Sequence, residues 1–213
     1  MKRRTVDLVV SAGGMLLAAI LLVGGLVLTS NANFAKNYVH DQLSQQQITF
    51  KTADTLTDDE KAKACLVEYA GQLMTTGKQA ECYANQYIAF HLASSAEGAG
   101  YPGATYATMG GIINGLKADL ETATTSGQPL DDGRTAEQIQ EQVTAATALR
   151  DTMFKGESLR GLLLTVYGFS VFGELGGIAA IVCYLAAAVL VVLSIAGFLH
   201  ASRTKPEEKV LAG

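Results

Sequence analysis

Between Leu159 and Leu199 the chain reads LRGLLLTVYGFSVFGELGGIAAIVCYLAAAVLVVLSIAGFL, with Arg160 and Glu174 its only charges. As a helix this stretch would be roughly 60 Å long at about 1.5 Å per residue, twice the thickness of a bilayer core of about 30 Å. One span leaves a remainder. Two spans need about 20 residues each and a polar turn, and the only polar interruption, Gly173-Glu174-Leu175-Gly176-Gly177, leaves a first half too short to cross. The pattern predicts one transmembrane helix over residues 176–199, preceded by an apolar helix over 159–175 at the outer interface that something must cover.

A second apolar run, residues 6–29, is also long enough to span, and it accounts with the first for a composition that is 49% hydrophobic and only 17% charged. Lys2, Arg3 and Arg4 before it and Ser30-Asn31-Ala32 after it resemble a signal peptide. The run exceeds the usual apolar core of about 7–15 residues, so it reads as an uncleaved signal anchor. Basic residues flank the spans at 2–4 and again at Arg203, Lys205 and Lys209, which places both termini in the cytoplasm of a plasma-membrane protein and residues 30–158 outside. Residues 31–158 carry 9 Lys+Arg against 16 Asp+Glu, an acidic balance that argues against a nucleic-acid surface.

Cys65 and Cys82 lie in that extracytoplasmic (periplasmic) segment, where disulfides persist, and the compartment favours a bridge over two free thiols. Cys183 sits inside the second span as a small apolar residue. Phe34, Tyr38, Val39 and Leu43 carry the first helix on to about Gln46, and a short extended piece follows at Ile48 and Phe50. Thr57-Asp58-Asp59-Glu60 has capping-box spacing and predicts a helix through Met74, ended by Thr75-Thr76-Gly77. Further helices are expected over 78–94, over 104–125 and from Arg134 onward, separated by glycine-rich loops at 97–103 and 126–133. Gly110, Gly111 and Gly115 weaken the second of these by about 1 kcal/mol each against Ala, or else permit close packing. The fold class is all-α: a two-transmembrane-helix hairpin carrying a helical extracytoplasmic domain, with four helices in the simplest arrangement.

Reactive groups are sparse. His40, His91 and His200 fall on separate elements, and no Cys or His pair has zinc-like spacing. His40-Asp41 reads as a solvent-facing polar pair, and His91 as a half-buried, hydrogen-bonded side chain. No serine elbow, Walker loop, haem-attachment motif or CxxC is present, so the expectation is a non-enzyme without metal or cofactor. Glu174 interrupts an apolar run, where a carboxylate must face water or a partner; it either marks the depth of the outer interface or takes part in proton or partner pairing. Gly173 and Gly177 form a small-xxx-small pair suited to close helix contact, between the two spans or with another membrane protein.

Three segments, Tyr83-Ala84-Asn85-Gln86-Tyr87-Ile88-Ala89-Phe90-His91-Leu92, Thr105-Tyr106-Ala107, and Ser158-Leu159-Arg160-Gly161-Leu162-Leu163-Leu164 leading to Tyr167-Gly168-Phe169, resemble a family of actinobacterial two-span membrane proteins. More specifically, the resemblance is to accessory factors of the respiratory supercomplex that joins cytochrome bcc to an aa3-type oxidase. It implies a subunit of that electron-transport assembly that helps hold it together and has no redox cofactor of its own. Some relatives bear a ring-opening dioxygenase label, which no metal-ligand constellation here accompanies. The partners expected are therefore membrane lipid and a larger integral membrane complex, with Leu162, Leu163, Val166, Phe169, Gly173, Glu174 and Gly177 as candidate contacts. The alternative is a stand-alone cell-envelope sensor or ligand-binding membrane protein.

Overall fold

The computed structural model describes residues 2–205, which are helical almost throughout. The elements are α1 (Arg3–Gln45), α2 (Asp58–Lys61), α3 (Ala64–Glu68), α4 (Gly77–Cys82), α5 (Ala89–Gly98), α6 (Tyr106–Ser126) and α7 (Ala136–Arg203). A six-residue π-helical turn, Tyr83–Ile88, joins α4 to α5. Lys209, used above to orient the chain, lies outside the described residues, as does the rest of the tail from residue 206. The chain divides into a paired-helix unit, Met1–Val39 with Phe169–Gly213, and a central unit, His40–Gly168.

In the paired-helix unit, α1 and α7 are each long and apolar enough to cross a membrane. Only 11% and 17% of their most apolar windows are buried, whereas the core helix of a soluble protein would be mostly covered. Contact runs along a narrow antiparallel seam. Ser11, Ala18 and Ala35 on α1 and Ala180, Ala187, Ser194 and Ala201 on α7 are 5% exposed or less, and the four on α7 recur every seven residues. Such small side chains let two backbones approach, and in lipid that packing, rather than the hydrophobic effect, drives association. The glycines record how tight the fit is. A Cβ at Gly173 would stand 2.8 Å from that of Ala35, and one at Gly25 only 2.6 Å from the Tyr184 ring. Tyr184 is anchored there by a 2.9 Å bond to Thr29; the Thr29 hydroxyl donates to the Gly25 carbonyl, so Tyr184 is the donor. Asp7 and His200 pair at 3.0 Å near one end of the seam.

The central unit is built from shorter pieces. Residues 48–51 pair with 71–74 through bonds from Phe50 N–H to Gln72 O, Gly71 N–H to Lys51 O and Met74 N–H to Ile48 O. Gly71, with φ +72°, makes the turn that this pairing needs. Around it Leu43, Phe50, Leu56, Leu66, Met74 and Ala80 are buried. A second core cluster joins α5, α6 and α7 through Ala96, Met109, Ile113, Ala146 and Met153. Three helix starts are fixed by reciprocal capping boxes, Thr57 with Glu60, Thr76 with Gln79 and Thr105 with Thr108, and Gly127 closes α6 at φ +65°. Arg134 ties the α6–α7 connection by bonding Asp119 at 2.7 Å and Asp132 at 2.6 Å.

Several expectations change in detail. The helix expected from Thr57 to Met74 breaks at Lys63, whose backbone is extended (φ −100°, ψ 99°), and ends at Tyr69. The break turns Leu66 inward, to 1% exposure, and residues 71–74 are extended against 48–51 instead of helical. Thr75-Thr76-Gly77 opens the next helix instead of closing this one, because Gln79 caps back onto Thr75 and Thr76. Gly111 and Gly115 face open space, so α6 makes no close backbone contact there. Gly156 does not interrupt α7; a Cβ there would meet Leu92 at 2.7 Å, and the glycine serves helix packing.

Candidate functional site

Cys65 and Cys82, 17 residues apart, are joined with their Cα atoms 6.1 Å apart. The bridge pins α3 to the end of α4, immediately before the π-helical turn. In the chain-entropy picture a loop of this length contributes about 3 kcal/mol.

The π-turn widens the helix by one residue, as the Ala89 N–H bonding back to the Ala84 carbonyl shows. It aligns an aromatic ladder: Phe50 meets Tyr83 edge-on at 5.3 Å, Tyr83 stacks on Tyr87 at 4.7 Å, and Tyr87 meets His91 at 4.4 Å. Burial beside Tyr87 pushes the Tyr83 hydroxyl above its ordinary value. At the foot of the ladder lies Glu60, a carboxylate with no exposure at all. Its Oε1 accepts from Lys51 Nζ at 2.8 Å and from His91 Nε2 at 2.8 Å; its Oε2 accepts from the Thr57 N–H at 2.8 Å and from Lys51 at 3.1 Å. Because an ionised carboxylate only accepts, His91 Nε2 carries the hydrogen. Burial alone pushes the Glu60 carboxyl up, yet the bonds from Lys51, Thr57 and His91 outweigh it and hold the group at about 2. Lys51 is raised in turn, chiefly by its bond to Glu60. With four hydrogen bonds from three donor groups on its two oxygens, Glu60 is a clamp that ties residue 51, α2 and α5 together.

The sequence singled out His91 as hydrogen-bonded and half-buried, and its side chain is 39% exposed on Glu60. It located Glu60 only as a cap. Lys51 gave no local signal, since its partner is set by the 48–51 pairing, whereas Tyr83, Tyr87 and His91 recur every four residues, a spacing that puts them near one helix face. His40 bonds only its neighbour Asp41, at 3.3 Å, with both side chains exposed. Among the described residues no group of three His, Cys, Asp or Glu side chains is placed to hold a metal ion.

The candidate contact residues separate by environment. Leu163 is 3% exposed, Val166 is partly buried, and Leu162 is 67% exposed, all in the central unit. Gly173 and Gly177 both face α1, at Ala35 and Ala32, so this small-residue pair belongs to the seam between the two long helices. Glu174 is exposed. Phe169 is 39% exposed and touches Tyr38 edge-on at 5.8 Å. Phe172, which the sequence reading left out, is the barest of the group at 77%, with Leu175 at 56% and Phe34 at 61% nearby in the same unit. The Gly173–Ala35 and Gly177–Ala32 contacts set the level of this aromatic patch: it lies where α1 carries Asn31, Asn33, Lys36 and Asn37, opposite Glu174 on α7.

No protein-family model, curated protein or solved structure matches the chain.

Proposed function

We propose that this chain is a non-catalytic accessory or assembly subunit of a larger integral membrane complex, and that the complex is the actinobacterial respiratory supercomplex of cytochrome bcc and aa3-type oxidase. The choice of complex rests on the resemblance of the three quoted segments. The subunit role rests on one observation: Phe172, Phe169, Leu175 and Phe34 are exposed at a level where α1 turns polar and α7 carries Glu174. Asn31, Asn33, Lys36, Asn37 and Glu174 are costly in hydrocarbon, which puts this level at the edge of a bilayer core. Bare phenylalanines there are poorly covered by lipid tails and suit a protein surface; in this reading Glu174 is an interfacial depth marker beside the contact. Both termini are cytoplasmic and the central unit is extracytoplasmic, where its disulfide persists. The seam supports a retained first span, because α1 supplies the small-residue partner of α7.

Extraction of membranes in mild detergent, followed by native electrophoresis, tests the reading. The chain is expected to migrate with cytochrome oxidase activity, and to leave that band when Phe172 is replaced by Ser. Migration only as a free small species contradicts it.

A further inference from the structure

In the central unit, α6 and α7 are separated on one side by an open groove of about 490 Å³, within the range of small-molecule sites. One wall is aromatic: Tyr106 and Phe154, 37% and 52% exposed, have ring centres 5.5 Å apart. Beside them the half-buried guanidinium of Arg150 stacks 4.4 Å above the Tyr106 ring, and its Nε donates to the Tyr106 carbonyl at 3.3 Å. That posture fixes the fork and leaves its two terminal nitrogens without a carboxylate partner among the described residues. Asp151 also lines the groove, and its charge is paired with Lys155 at 2.6 Å. Lys117, also lining the groove, has no ion pair among the described residues. Gly110 lies beside Arg150, where a Cβ would make ordinary contact at 3.7 Å from Nη2. A preorganised, uncompensated guanidinium with a second cation and an aromatic wall is an unusual combination in a segment that carries 9 basic against 16 acidic residues.

We infer that this groove binds a small aromatic carboxylate. The Arg150 fork takes the carboxylate by two parallel N–H bonds, Lys117 adds a point charge, and the ring of the ligand lies against Phe154. The site is independent of the proposed role in a respiratory assembly; each can fail without the other.

The test is calorimetric titration of the full-length protein in lipid nanodiscs with 2-naphthoate, and with 2-naphthamide as the uncharged probe, subtracting empty nanodiscs. Naphthoate is expected to bind at least about tenfold more tightly than the amide, a difference of about 1.4 kcal/mol. Arg150→Gln should abolish that preference, and Lys117→Gln, a change at an exposed side chain that leaves the fold alone, should weaken naphthoate about threefold. Equal binding of the two probes, no naphthoate binding at millimolar concentration, or Lys117→Gln and a folded Arg150→Gln both matching the parent overturns the inference.

Discussion

The two units are held together by opposite means. In the paired-helix unit, contact is steric: glycine, alanine and serine every three or four residues let two apolar helices meet, with Tyr184 to Thr29 as the main polar link inside the seam. In the central unit the helices are mostly short, four of them between four and ten residues, too short to persist alone. They rely on a disulfide, three capping boxes and a buried carboxylate held by four hydrogen bonds. The difference teaches where each chemistry has purchase. Polar and covalent ties fix short elements that must not slide, whereas long helices with bare apolar flanks need only a face narrow enough to pack.

The largest expected effect falls on the central unit alone. Replacing Cys65 and Cys82 together by Ser should remove about 3 kcal/mol from its unfolding free energy. Cysteine cross-linking between positions 32 and 177, in a background lacking the native bridge, should continue undiminished; loss of that cross-link would mean that the helix seam depends on the bridge. Conversely, Gly25→Val drives a side chain into Tyr184 and should weaken the seam by about 2 kcal/mol through overpacking. The same 32–177 cross-link should fall while the thermal transition of the central unit stays in place.

Glu60→Gln removes the charge that Lys51 and His91 share and should cost on the order of 1–2 kcal/mol. Since the Glu60 carboxyl is held at about 2 against an ordinary 4.5, its ionised form stabilises the fold fully above about pH 4.5, and that contribution is lost as pH falls toward 2. The parent should therefore lose stability across that window and the Gln variant should lose less; identical acid denaturation profiles would show that the clamp carries no linkage. The smallest effect is a gain. Gly111→Ala, in open space on α6, should stabilise by up to about 1 kcal/mol, read from a denaturant melt.

How far the sequence could be read depends on the range of each interaction. The Thr57–Glu60 box, the course of α1 to about residue 45 and the cysteine bridge were legible because they involve near neighbours or compartment chemistry. The break at Lys63 was not, because it serves the pairing of 71–74 with 48–51, residues distant in the chain. Gly71 was the available hint: a glycine inside an expected helix, used at positive φ to end it. Gly173 and Gly177 were recognisable as small, but only α1 shows which of their two possible neighbours they face. Phe172 escaped notice for the same reason, since exposure belongs to the packed helix pair and not to the apolar pattern. The Glu60 clamp joins residues 51, 60 and 91, a separation at which no local pattern speaks.

The most direct test of the account asks what covers the aromatic patch. A photo-crosslinking residue placed at Phe172 in native membranes should give a discrete protein adduct, identified by mass spectrometry as a subunit of the oxidase assembly. The same residue at Val182, bare at 59% deeper along α7, should label lipid. Lipid adducts alone at position 172, matching those at 182, would contradict the claim that this surface is a subunit contact.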